Sequence, residues 1–175
     1  MLISTSRKPS SKTRAFCKNL SHALDCQYIN RGKMSLRELQ LKSAKLGSDF
    51  VVLVYEMKGN PSKITFLSND GDELLVIMGS VNTTNQRLNI KTDEITFKSD
   101  LPEFNILKDI FPINNDISLN HKSSPKENFI HVEKIEKEYS EDIEEYEKKI
   151  AIIHFYNKFG KDTGLKINVR KVLAD

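Results

Sequence analysis

Seven basic side chains near the amino terminus could neutralise the phosphate groups of a nucleic acid. They are Arg7, Lys8, Lys12, Arg14, Lys18, Arg31 and Lys33. The first five surround the predicted start of a helix, where free N–H groups and about half a positive charge favour an anion. Nearby serine and threonine hydroxyls add donors that need no particular base. We therefore predict phosphate contacts here, the plainer alternative being that the serines cap the helix and the lysines solvate it.

Charge is unevenly distributed along the 175 residues, although the net charge is only +3. Residues 1–50 contain ten Lys or Arg residues against three acidic ones, whereas residues 133–149 contain eight acidic residues against four lysines. The basic end favours a nucleic acid as partner. The acidic segment supports an alternative from another class, an interaction scaffold that docks a basic protein and contacts RNA only secondarily.

Aromatic side chains are poorly placed for stacking on bases. Phe16 belongs to the apolar face of the predicted helix, and Tyr28, Phe50 and Tyr55 fall in segments that are expected to be internal. We therefore expect recognition of the backbone and shape of RNA rather than of unstacked bases.

The sequence predicts no catalysis, no metal and no cofactor. The seven glycines are scattered and form no glycine-rich phosphate loop. The four histidines have no metal-ligand spacing, and His131 and His154 are expected to be ordinary half-buried residues of strands. Asp70 and Asp72 flank a turn glycine. A metal-dependent nuclease built on them is a remote alternative, because a hairpin turn favours the same residue types.

The cysteine content and the length of the apolar runs predict where the protein acts. Cys17 and Cys26 fit two reduced thiols better than a disulfide or a zinc site. The longest apolar run, residues 50–55, is far shorter than the roughly 20 residues that a membrane span requires. No apolar signal segment follows the first residues, so secretion is not expected. We expect a cytoplasmic protein that does not cross a membrane.

Hydrophobic patterning predicts alternating strands and helices over the first third of the chain. The elements in order are a strand at 2–5, a helix at 10–24, a strand at 27–30, a helix at 35–46 and a strand at 50–55. Ser35 and Glu38 form a capping box for the second helix, and Gly47 lies beyond its end. The last strand is apolar on both faces, which is typical of a central strand covered by helices.

The rest of the chain predicts two hairpins joined by less regular segments. Residues 64–67 and 74–77 form the first hairpin, and residues 150–156 and 165–172 form the second. The segments between the hairpins are strand-like patches at 88–90 and 95–97, a helix that begins near Pro102 and runs to Phe111, a polar loop at 114–128, a strand at 129–135, and an acidic helix or loop at 136–149.

Each part of the chain ends in a hairpin that follows a helix-bearing unit, so we predict two similar halves. The fold class is α/β (α+β), with a mixed sheet and helices in each half. The chain is then a single domain, 1–175, with pseudo-duplicated halves at about 1–85 and 86–175. No repeat in residue identity accompanies this plan.

Two stretches of the chain resemble the motifs of a known family. They are Thr5–Ser10, followed by Thr13, Arg14 and Phe16, and Ile29–Leu39. In this order and at this spacing they resemble the Brix domain family of ribosome-biogenesis proteins, above all its short, archaeal-type members. The closing hairpin, with Gly164–Ile167 and Val169–Val172, is compatible with the same family.

The resemblance implies a non-enzymatic protein that binds precursor rRNA and assists rRNA processing and ribosomal subunit assembly. It also implies two halves that are each similar to the anticodon-binding domain of some aminoacyl-tRNA synthetases. On the scaffold alternative, ribosomal or assembly proteins are further partners. By position in the motifs, the first candidates for RNA contact are Arg7, Lys8, Arg14 and Lys18, and the second are Arg31 and Lys33.

Overall fold

The protein is represented by a computed structural model, which describes residues 1–113, 128–136 and 148–174. The strands of these residues are β1 (Leu2–Thr5), β2 (Gln27–Tyr28), β3 (Phe50–Met57), β4 (Asn60–Ser68), β5 (Glu73–Asn82), β6 (Thr96–Ser99), β7 (Phe129–Lys134), β8 (Ala151–Tyr156) and β9 (Asp162–Ala174). The α-helices are α1 (Ser11–Ala23), α2 (Leu36–Lys45) and α3 (Leu107–Ile110), and two short 3-10 helices span Thr92–Glu94 and Pro102–Phe104.

All of these strands belong to one mixed sheet, in the order β2-β1-β3-β4-β5-β9-β8-β7-β6. β1 is parallel to both β2 and β3, and β6 is parallel to β7, whereas the other neighbouring pairs are antiparallel. With helices packed on this sheet, the predicted mixed α/β fold class is confirmed.

The same pairing pattern occurs twice in the sheet. In the first half β1 pairs with β3 in parallel, and β3-β4-β5 continue antiparallel; in the second half β6, β7, β8 and β9 repeat this pattern. The last strands of the two halves, β5 and β9, pair with each other. We propose on this ground that the chain divides into two related halves at about residue 85, as the sequence predicts.

β3 is the central strand of the first half, as its apolar run predicts. Val51 and Leu53 point to one face, where they pack with Leu39 of α2. Val52 and Val54 point to the opposite face and join the cluster that contains Phe16 of α1. The side chains from Val51 to Val54 are at most 1% exposed. Burial on both faces explains why the strand has no polar alternation.

One apolar core runs through both halves of the molecule. Phe16 and Leu20 of α1 belong to the same buried cluster as Ile130 of β7 and Phe155 of β8. Each of these side chains is at most 2% exposed. Because the halves share this cluster and the β5–β9 pairing, we expect them to unfold together.

The structure differs from the predicted elements at three places in the chain. The patch at 88–90 forms no strand. The helix predicted to run from near Pro102 to Phe111 is divided into the 3-10 helix Pro102–Phe104 and the short α3. β3 and β4 form a hairpin that the sequence did not predict. Its turn requires positive φ at Lys58 (49°) and Gly59 (77°), and lysine is an unusual residue for that conformation.

Two predicted segments lie largely outside the described residues. They are the polar loop at 114–128 and the acidic segment at 136–149, on which the scaffold alternative depends. None of the helices in the described residues has the length and apolar character that crossing a membrane would need.

Candidate nucleic-acid interface

Three connections meet at one edge of the sheet and bring the predicted basic residues together. β1 pairs in parallel with both β2 and β3, so the carboxyl ends of the three strands lie at the same edge of the sheet. The connections that leave these ends are residues 6–10, 29–35 and 58–59, which we call the basic edge. Ser4 Oγ donates a hydrogen bond to the Ile29 carbonyl at 2.9 Å and links β1 to the connection that follows β2. The carboxyl ends of parallel strands are where α/β sheets place their ligands.

Four of the predicted cations are free to meet a ligand. Arg7, Lys8, Lys18 and Lys33 are exposed, and within the described part of the chain their side chains form no hydrogen bond or ion pair. Arg7 and Lys8 follow β1 directly, and Lys33 lies in the connection after β2. Unpaired cations that share an edge create a positive potential, which attracts a polyanion.

The other three predicted cations contact neutral partners. Lys12 Nζ donates to Asn60 Oδ1 at 2.7 Å, and Arg14 Nη1 donates to the Pro9 carbonyl at 2.7 Å. Arg31 Nε donates to the Met34 carbonyl at 3.1 Å. None of these contacts neutralises the charge. The three side chains therefore stay positive, but they also have a structural role in holding the connections of the basic edge.

The N-terminus of α1 is not an open anion site, which corrects the sequence analysis. The carboxylate of Glu56 accepts hydrogen bonds from the Ser10 amide at 2.9 Å and from the Thr13 hydroxyl. Ser10 Oγ in turn accepts from the Thr13 amide and donates to the Gly59 carbonyl. The hydrogen bonds from Thr13 and Ser10 hold the pKa of Glu56 below its usual value. A negative charge from β3 thus occupies the place that the helix dipole would offer to a phosphate.

The N-terminus of α2 is closed in a similar way by its own sequence. Ser35 Oγ accepts from the Glu38 amide, and Glu38 Oε2 accepts from the Ser35 amide at 2.7 Å, so the predicted capping box is confirmed. These hydrogen bonds lower the pKa of Glu38. Because both helix N-termini hold carboxylates, any binding of phosphate at the basic edge depends on cationic side chains.

One further cation at this edge escaped the sequence analysis. Lys58 is exposed in the β3–β4 turn, beside the Asn60 that Lys12 contacts. The available signal was the Lys58-Gly59 pair between two apolar stretches, which resembles a hairpin turn only if lysine is allowed positive φ.

The two histidines that the sequence places in strands, His131 and His154, lie in β7 and β8, far along the chain from the basic edge. His131 and His154 face each other across the strands, and their side chains are 18% and 10% exposed. His131 Nε2 lies 3.2 Å from Asp100 Oδ2, and His154 Nε2 lies 3.1 Å from Glu133 Oε2. His131 is a half-buried strand residue, as predicted, whereas His154 is buried, and both have carboxylates as neighbours.

The remaining candidate groups are two aspartates in a turn and two cysteines. Asp70 and Asp72 lie at the β4–β5 turn, where Ser68 Oγ accepts from the Gly71 and Asp72 amides. In the described ranges no group of three or more His, Cys, Asp or Glu residues is arranged to hold a metal ion. Cys17 and Cys26 are unpaired, and burial raises the pKa of each thiol to about 12.

Solved structures with this fold define the class of protein. An archaeal Imp4-like protein aligns over 100% of both chains, with a TM-score of 0.72 and 26% sequence identity. A probable ribosomal biogenesis protein from Aeropyrum pernix aligns over 96% of this chain and 94% of its own, with a TM-score of 0.63 and 21% identity. The chain therefore has the Imp4-like fold.

Sequence relatives narrow this class to a family. A probable Brix domain-containing ribosomal biogenesis protein from Methanothermobacter thermautotrophicus is 48% identical over 73 residues, which cover 42% of this chain and 44% of the relative. The protein of the same name from Archaeoglobus fulgidus is 36% identical over 103 residues, which cover 58% of this chain and 61% of the relative. No family model matches the chain. The chain thus matches about half the length of these curated relatives. The predicted resemblance is confirmed: the chain is a homologue of the archaeal Brix domain proteins.

Proposed function

We propose that this chain is a ribosome-assembly factor that binds precursor rRNA through the basic edge and catalyses no reaction of its own. Its homologues are named ribosomal biogenesis proteins, which supports the general role. By holding a segment of precursor rRNA, the protein would stabilise one RNA conformation while the segment is processed or loaded with proteins.

The observation that carries this proposal is the set of unpaired cations on connections that leave parallel strands. Arg7, Lys8 and Lys33 lie on these connections without a carboxylate partner in the described residues. Lys18 extends the charge along α1. If about five phosphates are neutralised, the logarithm of the affinity falls against the logarithm of the salt concentration with a slope of roughly −3 to −4.

The arrangement favours contacts to the phosphate backbone. The Thr13 and Ser10 hydroxyls are already engaged with Glu56 and Gly59, so lysine and arginine remain as the principal donors. Such donors fix the position of an RNA without reading its bases. We therefore expect selectivity for the shape of a precursor rRNA segment.

The test is a binding series with the full chain. Its affinity is measured for fragments of small- and large-subunit precursor rRNA, for a scrambled RNA and for duplex DNA, each over a range of salt concentrations. The proposal predicts a preference for one rRNA fragment together with a steep salt slope. Equal, weak binding to every probe would contradict it and would favour a scaffold that docks ribosomal or assembly proteins.

A further inference from the structure

An open cleft lies where α1, the segment that connects the two halves, and the β8–β9 turn come together. Its volume is about 450 Å³, which is within the roughly 300–1,000 Å³ typical of small-ligand sites. Asn19 and His22 of α1 form one wall, residues 86–91 form the second, and Lys158 closes the third side. The cleft is therefore built from both halves.

The charge of the cleft suits an anion. Arg87, Lys91 and Lys158 line it, and no carboxylate belongs to the lining in the described residues. Lys91 forms an ion pair with Glu94, so its charge is compensated. Arg87 has no ion pair or side-chain hydrogen bond within the described ranges. Arg87 and Lys158 are thus the cations that a ligand would meet.

The walls of the cleft are held by hydrogen bonds and need little rearrangement. The Lys158 amide donates to the Asn89 carbonyl at 3.1 Å and joins the β8–β9 turn to the connecting segment. Asn19 Oδ1 accepts from the Thr84 amide at 3.0 Å and joins α1 to the same segment. A site that is already formed loses less entropy when a ligand binds.

An aromatic ring stands beside the cleft in an unusual position. Phe159 follows the cleft residue Lys158 and is 62% exposed, the largest exposure of any aromatic side chain in the described part of the chain. Lys158 Nζ lies 5.1 Å from the centre of its ring. The turn is fixed by Asn157 Oδ1, which accepts from the Phe159 and Lys161 amides. A base stacked on an exposed aromatic ring contributes about 1–3 kcal/mol.

A line of basic side chains joins the cleft to the basic edge. Arg14, Lys18 and His22 are exposed and recur every four residues along α1. Because an α-helix rises about 1.5 Å per residue, the line is about 12 Å long. Its first member lies beside the basic edge, and its last member lines the cleft.

We propose that the cleft holds one nucleotide of a single-stranded RNA that continues from the basic edge along α1. Arg87 and Lys158 contact its phosphate, and its base stacks on Phe159. This inference rests on the proposed function, since it places part of the same RNA. It also adds base stacking to the backbone recognition that the sequence alone led us to expect.

The absence of tryptophan from the chain allows a direct test. Phe159→Trp introduces a single indole, whose fluorescence a stacked base quenches. The matched control is Leu173→Trp, at a position on β9 that is 50% exposed. Both variants are titrated with a fluorescein-labelled oligouridine of about 12 nucleotides, a length within the usual range of single-strand sites. The anisotropy of the label reports binding independently.

Quenching of Phe159→Trp that saturates together with the anisotropy, and is absent from Leu173→Trp, is the expected result. Arg87→Ala is expected to lower the affinity about five- to tenfold. Normal binding by anisotropy, with no quenching and no effect of Arg87→Ala, would overturn the cleft assignment and leave the basic edge as the binding surface. Absence of oligouridine binding by the wild-type protein would also overturn the cleft assignment, and absence of binding to the rRNA fragments as well would overturn the proposed function.

Discussion

The two halves of the sheet have equivalent edges with different electrostatics. The carboxyl ends of β1 and β3 in the first half correspond to those of β6 and β7 in the second. In the first half, Arg7 and Lys8 have no partner among the described residues. In the second half, Lys98 lies 3.4 Å from Asp100, and Lys134 lies 3.6 Å from Glu136.

The difference teaches that the shared pairing pattern does not determine the binding surface. Exposed ion pairs contribute at most about 1 kcal/mol to stability, so the pairs of the second half are not needed to hold the fold. Their main consequence is that they cancel charge. Arg7 and Lys8 of the first half stay uncompensated among the described residues, and we therefore propose the basic edge, rather than the corresponding edge of the second half, as the main RNA-binding surface.

The largest effect is a loss of stability that we expect from a substitution where the two halves join. Gly79 of β5 faces β9, and a Cβ atom built there would lie 1.9 Å from the Asn168 carbonyl oxygen. Since this Cβ is fixed to the backbone of β5 and the oxygen belongs to the backbone of β9, Gly79→Ala must force the strands apart, and we expect a loss of about 2–3 kcal/mol in unfolding free energy. Urea denaturation measures this loss. Ser80→Ala, the neighbouring control, should stay within about 0.5 kcal/mol of wild type. A similarly small effect of Gly79→Ala would mean that the halves are not joined so closely.

A smaller loss of stability is expected when the carboxylate at the N-terminus of α1 is removed. Glu56→Gln keeps the size of the side chain but removes the charge that accepts from Ser10 and Thr13, so we expect a loss of about 1 kcal/mol at pH 7. The pKa of Glu56 is lowered from 4.5 in the folded protein. Its stabilisation is therefore complete above about pH 4.5 and is lost as the pH falls through the lower folded value.

The difference between wild type and Glu56→Gln should accordingly shrink when urea unfolding is repeated near pH 3. Glu73→Gln is a matched control, because the Glu73 side chain is exposed and has no hydrogen bond or ion pair within the described ranges. If the difference in unfolding free energy between wild type and Glu56→Gln stayed constant with pH, an ionised Glu56 would not be the cap of α1.

The smallest effect is an expected change in RNA affinity when charge is altered at the carboxyl ends of β6 and β7, which we call the second edge. Burial would raise the pKa of Asp100, but hydrogen bonds from His131 and the Lys134 amide lower it, so the group is charged near neutral pH. Asp100→Asn releases Lys98 from its ion pair and makes the second edge more positive. RNA affinity, measured by anisotropy at low salt, should rise by about twofold through longer-range attraction. A rise of tenfold or more would mean that RNA contacts the second edge directly.

The sequence predicted the elements whose signals are local. The capping box of Ser35 and Glu38 fixed the start of α2, and Ser10 caps α1 as its position indicates. The unbroken apolar run of β3 identified a strand buried on both faces. Such signals lie within a few residues, so one sequence is enough to interpret them.

The features that escaped prediction depend on contacts between distant residues. The Ser10 amide and Glu56 are separated by 46 positions, and no local pattern indicates that a carboxylate would close the α1 N-terminus. The cleft combines α1, residues 86–91 and Lys158. The exposure of Phe159 follows from the β8–β9 turn, whereas its residue type alone favours burial.

The central claim is that the unpaired cations of the first half bind RNA, and matched double variants test it most directly. Arg7→Ala with Lys8→Ala is compared with Lys98→Ala with Lys134→Ala, by affinity for the preferred rRNA fragment over a salt series and by urea unfolding. We predict that the first pair lowers affinity about tenfold and flattens the salt slope by roughly 1.4, with the unfolding free energy within about 0.5 kcal/mol of wild type. The second pair should change affinity less than about twofold. Equal losses from both pairs, or lost stability with unchanged affinity in the first, would contradict the account.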